Sequence, residues 1–208
     1  MKVLTQEEFE ARWSAIHGGA EIKGAVAWWL SISYHMARIC SALRISPNFL
    51  TLLGLLTAVA MAFSDYAEIA LLLLVTSLIF DGIDGSVAIV QERESNWGSL
   101  LDSLADRISE AFWLYMGWKI GIPAWIAISM WTIASTQEYA RARLASLGHH
   151  EIGVVTPTER PVRASFMAIA LVIFILGLPG LEVFSYVFLG ALIYSFLRVM
   201  RVTFLILR

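Results

Sequence analysis

The stretch DGIDGSVAIVQERESNWGSLLDSLADR, residues 81–107, places four aspartates beside apolar runs: Asp81, Asp84, Asp102 and Asp106. The first two are three residues apart and the last two are four apart, so each pair lies on one face of a helix. A short polar turn, QERESN, joins the two helices and predicts that they run antiparallel. The four carboxylates are therefore expected to converge on one pocket.

The composition is that of a membrane protein. Of the 208 residues, 58% are hydrophobic and only 15% are charged, and the mean hydropathy is positive. The net charge of −2 gives no indication of a nucleic-acid partner. The N-terminal sequence MKVLTQEEFEARW is polar, so no cleaved signal peptide is expected. The single cysteine, Cys40, cannot form an internal disulfide.

Six apolar runs are long enough to cross about 30 Å of hydrocarbon as helices. The sequence therefore predicts an all-α integral membrane protein with six transmembrane helices. The expected spans cover roughly residues 48–64, 68–90, 98–118, 123–143, 162–179 and 182–205.

An amphipathic interfacial helix is expected before the first span. The segment TQEEFEARW has the Thr5 to Glu8 spacing of a capping box and carries Phe9 and Trp13 on one face. This pattern is typical of a helix that lies on a membrane surface.

The segment 24–43 is apolar enough to span a membrane, yet it contains a histidine and an arginine. We interpret it as interfacial in preference to a seventh span. The expected organisation is an N-terminal juxtamembrane segment, residues 1–45, followed by a transmembrane catalytic domain, residues 46–208.

The distribution of basic residues predicts the orientation in the membrane. Nearly all lysines and arginines fall before the first span, after spans two and four, or near the C-terminus, and only Lys119 lies on the opposite side. The positive-inside rule then places both termini in the cytoplasm. We expect a multi-pass protein of the cell (inner) membrane whose aspartate pocket faces the cytoplasm.

Four carboxylates at membrane depth require compensation. Each costs on the order of 2.5 to 3.5 kcal/mol by insertion scales, before mutual repulsion is counted. Two divalent cations would balance four negative charges, and oxygen ligands favour Mg²⁺, Mn²⁺ or Ca²⁺ over zinc. Two such ions form a clamp for a diphosphate. A divalent-cation transporter is the alternative from another class, since intramembrane carboxylates also mark ion pathways.

The same residues resemble the CDP-alcohol phosphotransferase (CDP-alcohol phosphatidyltransferase) family, whose pattern is D-x2-D-G-x2-A-R-x8-G-x3-D-x3-D. Seven of the eight specified positions agree, including all four aspartates at the same spacings. The resemblance implies transfer of a phosphatidyl group from a CDP-linked lipid to an alcohol, with release of CMP. It further implies that Asp81 and Asp102 bridge two metal ions, that Asp84 binds one, and that Asp106 binds the other and acts as the base.

The resemblance also implies a pocket for the CDP part of the donor. Gly85 would let the ligand approach the helix backbone, and the turn after span two would supply Ser95. The segment SPNFLT at the start of span one would supply Asn48 and Thr51. Its serine and proline, Ser46 and Pro47, also form a helix cap and first turn, and both roles can hold at once.

The eighth position departs from the family pattern, because Ile89 stands where the family has arginine. The resemblance gives that arginine a contact with the donor, which isoleucine cannot make. Arg93, one turn further on, could replace it, or the donor could be held differently. A third reading is a catalytically silent homologue that still binds the nucleotide-lipid.

The acceptor is indicated by four arginines near the ends of spans four and five. Guanidinium groups bind phosphate in a bidentate manner, so the cluster would suit a phosphorylated alcohol, although arginines at cytoplasmic helix ends also follow from topology alone. Segments 139–148 and 159–163 partly resemble those of bacterial phosphatidylinositol phosphate synthases, which implies inositol phosphate as acceptor. The resemblance to the wider family implies a homodimer. Phosphatidylglycerophosphate synthases, which use glycerol phosphate, remain the alternative. The residues are Arg141, Arg143, Arg160 and Arg163.

Overall fold

The computed structural model describes residues 4–16, 18–149 and 155–208. Within these ranges the chain forms eight α-helices and no strand, which confirms the all-α prediction. The helices are α1 (Gln6–Ile16), α2 (Ala25–Ala42), α3 (Pro47–Phe63), α4 (Ala67–Val90), α5 (Asn96–Lys119), α6 (Ala124–Ser146), α7 (Arg160–Ile175) and α8 (Leu181–Leu207). Helices α3 to α8 correspond one by one to the six predicted spans.

The helices differ in whether they are long and apolar enough to cross a membrane. Among the described residues, α4 and α8 are each long and apolar enough to cross a membrane alone, and the pair α2 and α3, bent by 110°, would add a third if it formed one span. Helix α7 has 16 residues, which is short of the about 20 that a span needs, and α5 carries several charges. The number of six transmembrane helices therefore stays a prediction.

The chain divides into two compact units, and the predicted division after residue 45 stays a prediction. The first unit comprises Met1–Thr57 and Val75–Ile108. The second comprises Ala58–Leu74 and Ser109–Arg208.

Helix α1 of the first unit begins with the predicted capping box. The backbone N–H of Thr5 donates to Glu8 Oε2 at 2.8 Å, and the N–H of Glu8 donates to Thr5 Oγ1 at 3.2 Å. Phe9 is 0% exposed and packs against the Tyr34 ring, with centroids 5.5 Å apart. The apolar face that was expected to contact the membrane thus packs on α2, and Trp13 packs against the same core cluster.

The start of α3 is fixed as its sequence predicts. Ser46 Oγ accepts a hydrogen bond from the N–H of Phe49 at 3.3 Å, and Pro47 is the first helical residue. Gln91, just after α4, donates through Nε2 to the carbonyl of Ile45 at 2.7 Å. This bond ties the head of α3 to the turn that follows α4.

In the second unit, α8 packs against α6 and α7. Phe166 of α7 stacks on Phe188 of α8, with ring centroids 4.2 Å apart. Lys119, the one basic residue on its predicted side of the membrane, donates through Nζ to the carbonyl of Ser64 at 2.8 Å. A cation beyond the C-terminus of α3 complements its free carbonyls, which gives this lysine a structural role.

Two glycines of α4 provide a matched test of packing in the first unit. A Cβ on Gly82 would lie 2.6 Å from Cζ2 of Trp29, whereas a Cβ on Gly85 would meet no atom within 4 Å. Both changes to alanine add the same helix propensity, so their difference reports the contact alone. We expect Gly82→Ala to be less stable than Gly85→Ala by about 1–3 kcal/mol, the usual cost of overpacking.

The check is thermal unfolding of both variants in one detergent. A melting temperature for Gly82→Ala equal to or above that of Gly85→Ala would show that α2 and α4 are not packed closely at this point.

Candidate metal and donor site

The C-terminal part of α4 and the first turns of α5 carry the four aspartates. Ser95 caps α5, since its Oγ accepts a hydrogen bond from the N–H of Gly98 at 3.0 Å. The N–H of Arg93 donates to the carbonyl of Ala88 at 2.8 Å and closes the end of α4. Hydrogen bonds therefore fix the end of α4 and the start of α5 on either side of the turn that joins them.

Three of the four predicted metal ligands converge. Asp81, Asp102 and Asp106 each offer a carboxylate oxygen, and these three atoms lie within 4.8 Å of one another. Hard divalent cations bind oxygen at about 2.0–2.6 Å, so one ion could reach all three oxygens. The donor set is all carboxylate, which suits Mg²⁺ or Mn²⁺. The residues present therefore fit a divalent cation.

Asp84, the fourth predicted ligand, is not in this group and has its own partners. It is 6% exposed, and its Oδ2 accepts a hydrogen bond from the Thr51 hydroxyl at 2.5 Å. Its Oδ1 accepts one from the N–H of Gly85 at 2.6 Å. Thr51, predicted to bind the donor, thus holds an aspartate of the motif, a contact between residues 33 positions apart.

A cavity of about 400 Å³ opens beside the aspartates. All four predicted donor-binding residues line it, namely Asn48, Thr51, Gly85 and Ser95. Asp81, Asp84 and Asp102 line it as well. The structure thus brings the predicted donor residues and most of the predicted metal ligands to one space, and their roles stay predictions.

Apolar side chains complete the cavity wall. Trp13 and Ile16 of α1 line it together with Trp29 and Leu30 of α2. Sequence reasoning missed these four residues, because their apolar character suited a membrane surface equally well. The cavity therefore combines acidic and apolar walls.

Ile89, which stands where the family pattern has arginine, lies in the hydrophobic core beside the cavity. Ile89 is 3% exposed and belongs to the hydrophobic cluster of the first unit, with Val87 and Val90 as neighbours in that cluster. It also lines the cavity, and so does Arg93. A cation therefore borders the cavity one turn after the position where the family pattern has one.

The four predicted acceptor arginines lie in the second unit, and three of them bind glutamates or an aromatic ring. Arg163 is 6% exposed and contacts Glu110 at 3.0 Å and Glu138 at 3.2 Å. Arg160 lies 5.6 Å above the Trp113 ring. Glu110, one turn after Asp106 in sequence, therefore pairs with an arginine.

The remaining two arginines differ from each other. Arg141 makes a bidentate pair with Glu159 at 2.7 and 2.8 Å. Burial opposes ionisation of Glu159, but the bonds from Arg141 and Thr156 outweigh it and lower its pKa to about 2. Arg143 is more exposed and donates to Ser146 Oγ at 3.2 Å. The phosphate-binding role predicted for these arginines stays a prediction.

The chain belongs to the CDP-alcohol phosphatidyltransferase family, whose sequence profile matches residues 44–203. This confirms the enzyme class predicted from the aspartate motif. The family is membrane-embedded and depends on divalent metal.

Relatives in the family differ in the alcohol that their names specify. The archaetidylinositol phosphate synthase of Pyrococcus horikoshii is 29% identical over 131 residues, 60% of this chain and 70% of the relative. The CDP-diacylglycerol–serine O-phosphatidyltransferase of Mycobacterium bovis is 30% identical over 110 residues, 48% of this chain and 37% of the relative.

The fold matches that of the phosphatidylinositol phosphate synthase of Mycobacterium tuberculosis. The TM-score to its crystal structure with bound CDP-DAG is 0.72 at 19% identity, covering 83% of this chain and 94% of that one. A second crystal structure of that enzyme, with the same TM-score, contains manganese and citrate.

The bond between Thr51 and Asp84 gives a test of how the motif is held. Thr51→Val removes the hydroxyl and leaves the shape, so the buried carboxylate loses a donor. We expect a loss of about 1–3 kcal/mol in stability, the usual cost of leaving a buried polar group unsatisfied. Thr57→Val is the control, because that hydroxyl donates only to carbonyls of its own helix, Leu53 and Gly54.

Unfolding of the two variants and of Thr51→Ser by denaturant or heat measures this effect. The serine variant should restore stability. Equal stability of Thr51→Val and Thr57→Val would mean that the bond to Asp84 contributes nothing.

The arginine network provides a second test. Arg163→Ala would remove the buried arginine that contacts the buried Glu110 at 3.0 Å and the half-buried Glu138 at 3.2 Å, so we expect a loss of about 3–5 kcal/mol in stability. Arg143→Ala removes the same charge from an exposed site and should change stability by less than about 0.5 kcal/mol. Thermal unfolding of both variants measures whether Arg163 stabilises the fold. Similar melting temperatures for the two variants would show that it does not.

Proposed function

We propose that this protein transfers a phosphatidyl group from CDP-diacylglycerol, or a similar CDP-linked lipid, to a hydroxyl of a phosphorylated alcohol and releases CMP. The observation that carries the proposal is the convergence of Asp81, Asp102 and Asp106 within 4.8 Å, beside a cavity lined by the predicted donor residues. Family membership supports the reaction class.

In the proposed reaction, the acceptor hydroxyl attacks the phosphorus that bears the lipid. The new bond joins the acceptor oxygen to this phosphorus, and the bond to the bridging oxygen of CMP breaks. Divalent cations held by the aspartates would neutralise the diphosphate and stabilise the leaving CMP. Asp106 accepts the proton of the attacking hydroxyl, since a carboxylate beside the reacting group can serve as general base.

The cavity wall suggests how the donor is oriented. Asn48 of α3 lies close to Gly98 of α5, since a Cβ on this glycine would be 3.4 Å from Asn48 Oδ1, an ordinary contact distance. Polar groups from both helices can then bind the nucleotide. Trp13 and Trp29 also line the cavity and supply apolar surface suited to the lipid part.

Inositol phosphate is the acceptor that we propose. Several of the matched proteins are named as synthases of inositol-phosphate lipids, and the arginines of the second unit provide phosphate-binding chemistry. A serine transferase is also among the relatives, so serine is the second candidate. The arginines that pair with glutamates would have to exchange these partners for phosphate, whereas Arg143 donates to a neutral hydroxyl.

The proposed metal ions, membrane topology and oligomeric state are inferred from the sequence. We infer two divalent cations, Mg²⁺ or Mn²⁺, from the charge of four aspartates; the manganese in the related structure supports the metal class. The apolar runs support six transmembrane helices, and the distribution of basic residues supports cytoplasmic termini and a cytoplasm-facing site in the inner membrane. A homodimer is inferred from the family resemblance.

Asp106→Asn tests the mechanism. The amide cannot take a proton and is a weaker ligand, so CMP release from CDP-diacylglycerol should fall by at least about 10²–10⁴-fold. Asp65→Asn is the control, because this aspartate is 92% exposed and lies outside the motif. Undiminished turnover by Asp106→Asn would contradict the mechanism.

The acceptor is decided separately by the wild-type protein with Mg²⁺ or Mn²⁺. Inositol phosphate, glycerol phosphate, free inositol and serine are each offered with CDP-diacylglycerol, and CMP and the lipid product are measured. We expect inositol phosphate to give the highest kcat/KM. Activity with another alcohol alone would remove the inositol-phosphate assignment and leave the reaction class intact.

A further inference from the structure

Arg93 is the only lysine or arginine among the described residues that line the cavity of the first unit. The charged groups that share this wall are acidic, namely Asp81, Asp84, Asp102 and Glu94. Arg93 is exposed, and its guanidinium makes no hydrogen bond or ion pair with any part of the chain that the structure describes. A cation among so many carboxylates would ordinarily bind one of them, so something keeps it available.

The nearest acidic neighbours of Arg93 in sequence are occupied by Arg12 of α1. Arg12 Nε lies 2.7 Å from Glu94 Oε1, and its Nη2 donates to Glu94 Oε2 at 3.0 Å. Its Nη1 donates to Glu92 Oε1 at 3.1 Å. One guanidinium therefore contacts both glutamates. Lysine could not make these contacts, because it lacks the planar, forked arrangement of donors.

The backbone of the turn needs this support. Glu92 has a φ of 53°, in the left-handed region, where a residue with a side chain costs free energy unless the surroundings hold it. The pair with Arg12 and the bond from the N–H of Glu92 to the carbonyl of Ile89, at 3.1 Å, provide that hold. The side chain of the next residue, Arg93, is thereby kept on the cavity wall.

We propose that Arg93 binds the anionic phosphate groups of the ligand in this cavity and that Arg12 is a positioning residue that keeps Glu92 and Glu94 away from it. The ligand class is a nucleoside diphosphate linked to a lipid, so the inference rests on the proposed function. It extends that function to α1, which precedes the residues matched by the family profile. Arg93 supplies positive charge at the acidic cavity from the protein itself.

The direct test is binding of CDP-diacylglycerol to the full chain in phosphatidylcholine nanodiscs with Mn²⁺. A charge-assisted hydrogen bond contributes enough that Arg93→Ala should weaken binding about 10- to 100-fold. Arg93→Lys should retain part of the affinity. Lys23→Ala is the matched control, since Lys23 is exposed, pairs with Glu21 and does not line the cavity. Circular dichroism and gel filtration identify any variant that fails to fold.

A separate binding experiment tests the positioning role of Arg12. Arg12→Ala should weaken CDP-diacylglycerol binding because Glu92 and Glu94 become free to bind Arg93. The triple variant with Arg12→Ala, Glu92→Gln and Glu94→Gln should recover affinity to within about threefold of the wild type, since the competing carboxylates are gone. A purely structural role for Arg12 would give no recovery, and that result would overturn the positioning claim.

The outcomes separate this inference from the proposed function. Affinity of Arg93→Ala within twofold of the wild type, with normal CMP release by both proteins, overturns the role of Arg93 and leaves the reaction standing. Arg93-dependent binding by a wild-type protein that releases no CMP with any acceptor supports the binding role and contradicts the reaction. A raised KM at unchanged kcat in Arg93→Ala supports both.

Discussion

Repulsion among the carboxylates of Asp81, Asp102 and Asp106 is the constraint on which the first unit depends. Three acidic oxygens within 4.8 Å of one another repel by several kcal/mol in a medium less polar than water. The chain nevertheless fixes them, through the Ser95 cap and the bond from Gln91 to Ile45. A divalent cation bound by these oxygens would neutralise their repulsion and would supply the positive charge that diphosphate chemistry requires.

In the second unit, arginines of the protein itself compensate the charge of glutamates. Arg163 binds Glu110 and Glu138, and Arg141 binds Glu159. With Arg160, whose Nε lies 4.0 Å from Glu110, three arginines face these three glutamates. In the aspartate motif, Arg107 lies 3.8 Å from Asp106, and we propose that divalent cations supply further positive charge there. Arg93 lies on the cavity wall beside carboxylates and has no partner among the described residues, which is why we propose a ligand contact for it.

Helix ends and the convergence of the aspartates could be predicted from the sequence, because both follow from local rules. Apolar runs bounded by residues such as Pro47 and Pro123 define the helices, and spacings of three and four define a face. Contacts distant in sequence could not be predicted. Thr51 meets Asp84 across 33 positions, and the amphipathic pattern of α1 fits a protein surface as well as a membrane.

The central claim is that the aspartate cluster holds divalent cations, and Mn²⁺ binding followed by electron paramagnetic resonance tests it most directly. The wild-type protein in nanodiscs should bind two Mn²⁺ ions, close enough to couple magnetically, and a variant with Asp81→Asn and Asp102→Asn should bind neither tightly. Equal Mn²⁺ binding by the wild type and this folded variant would contradict the account.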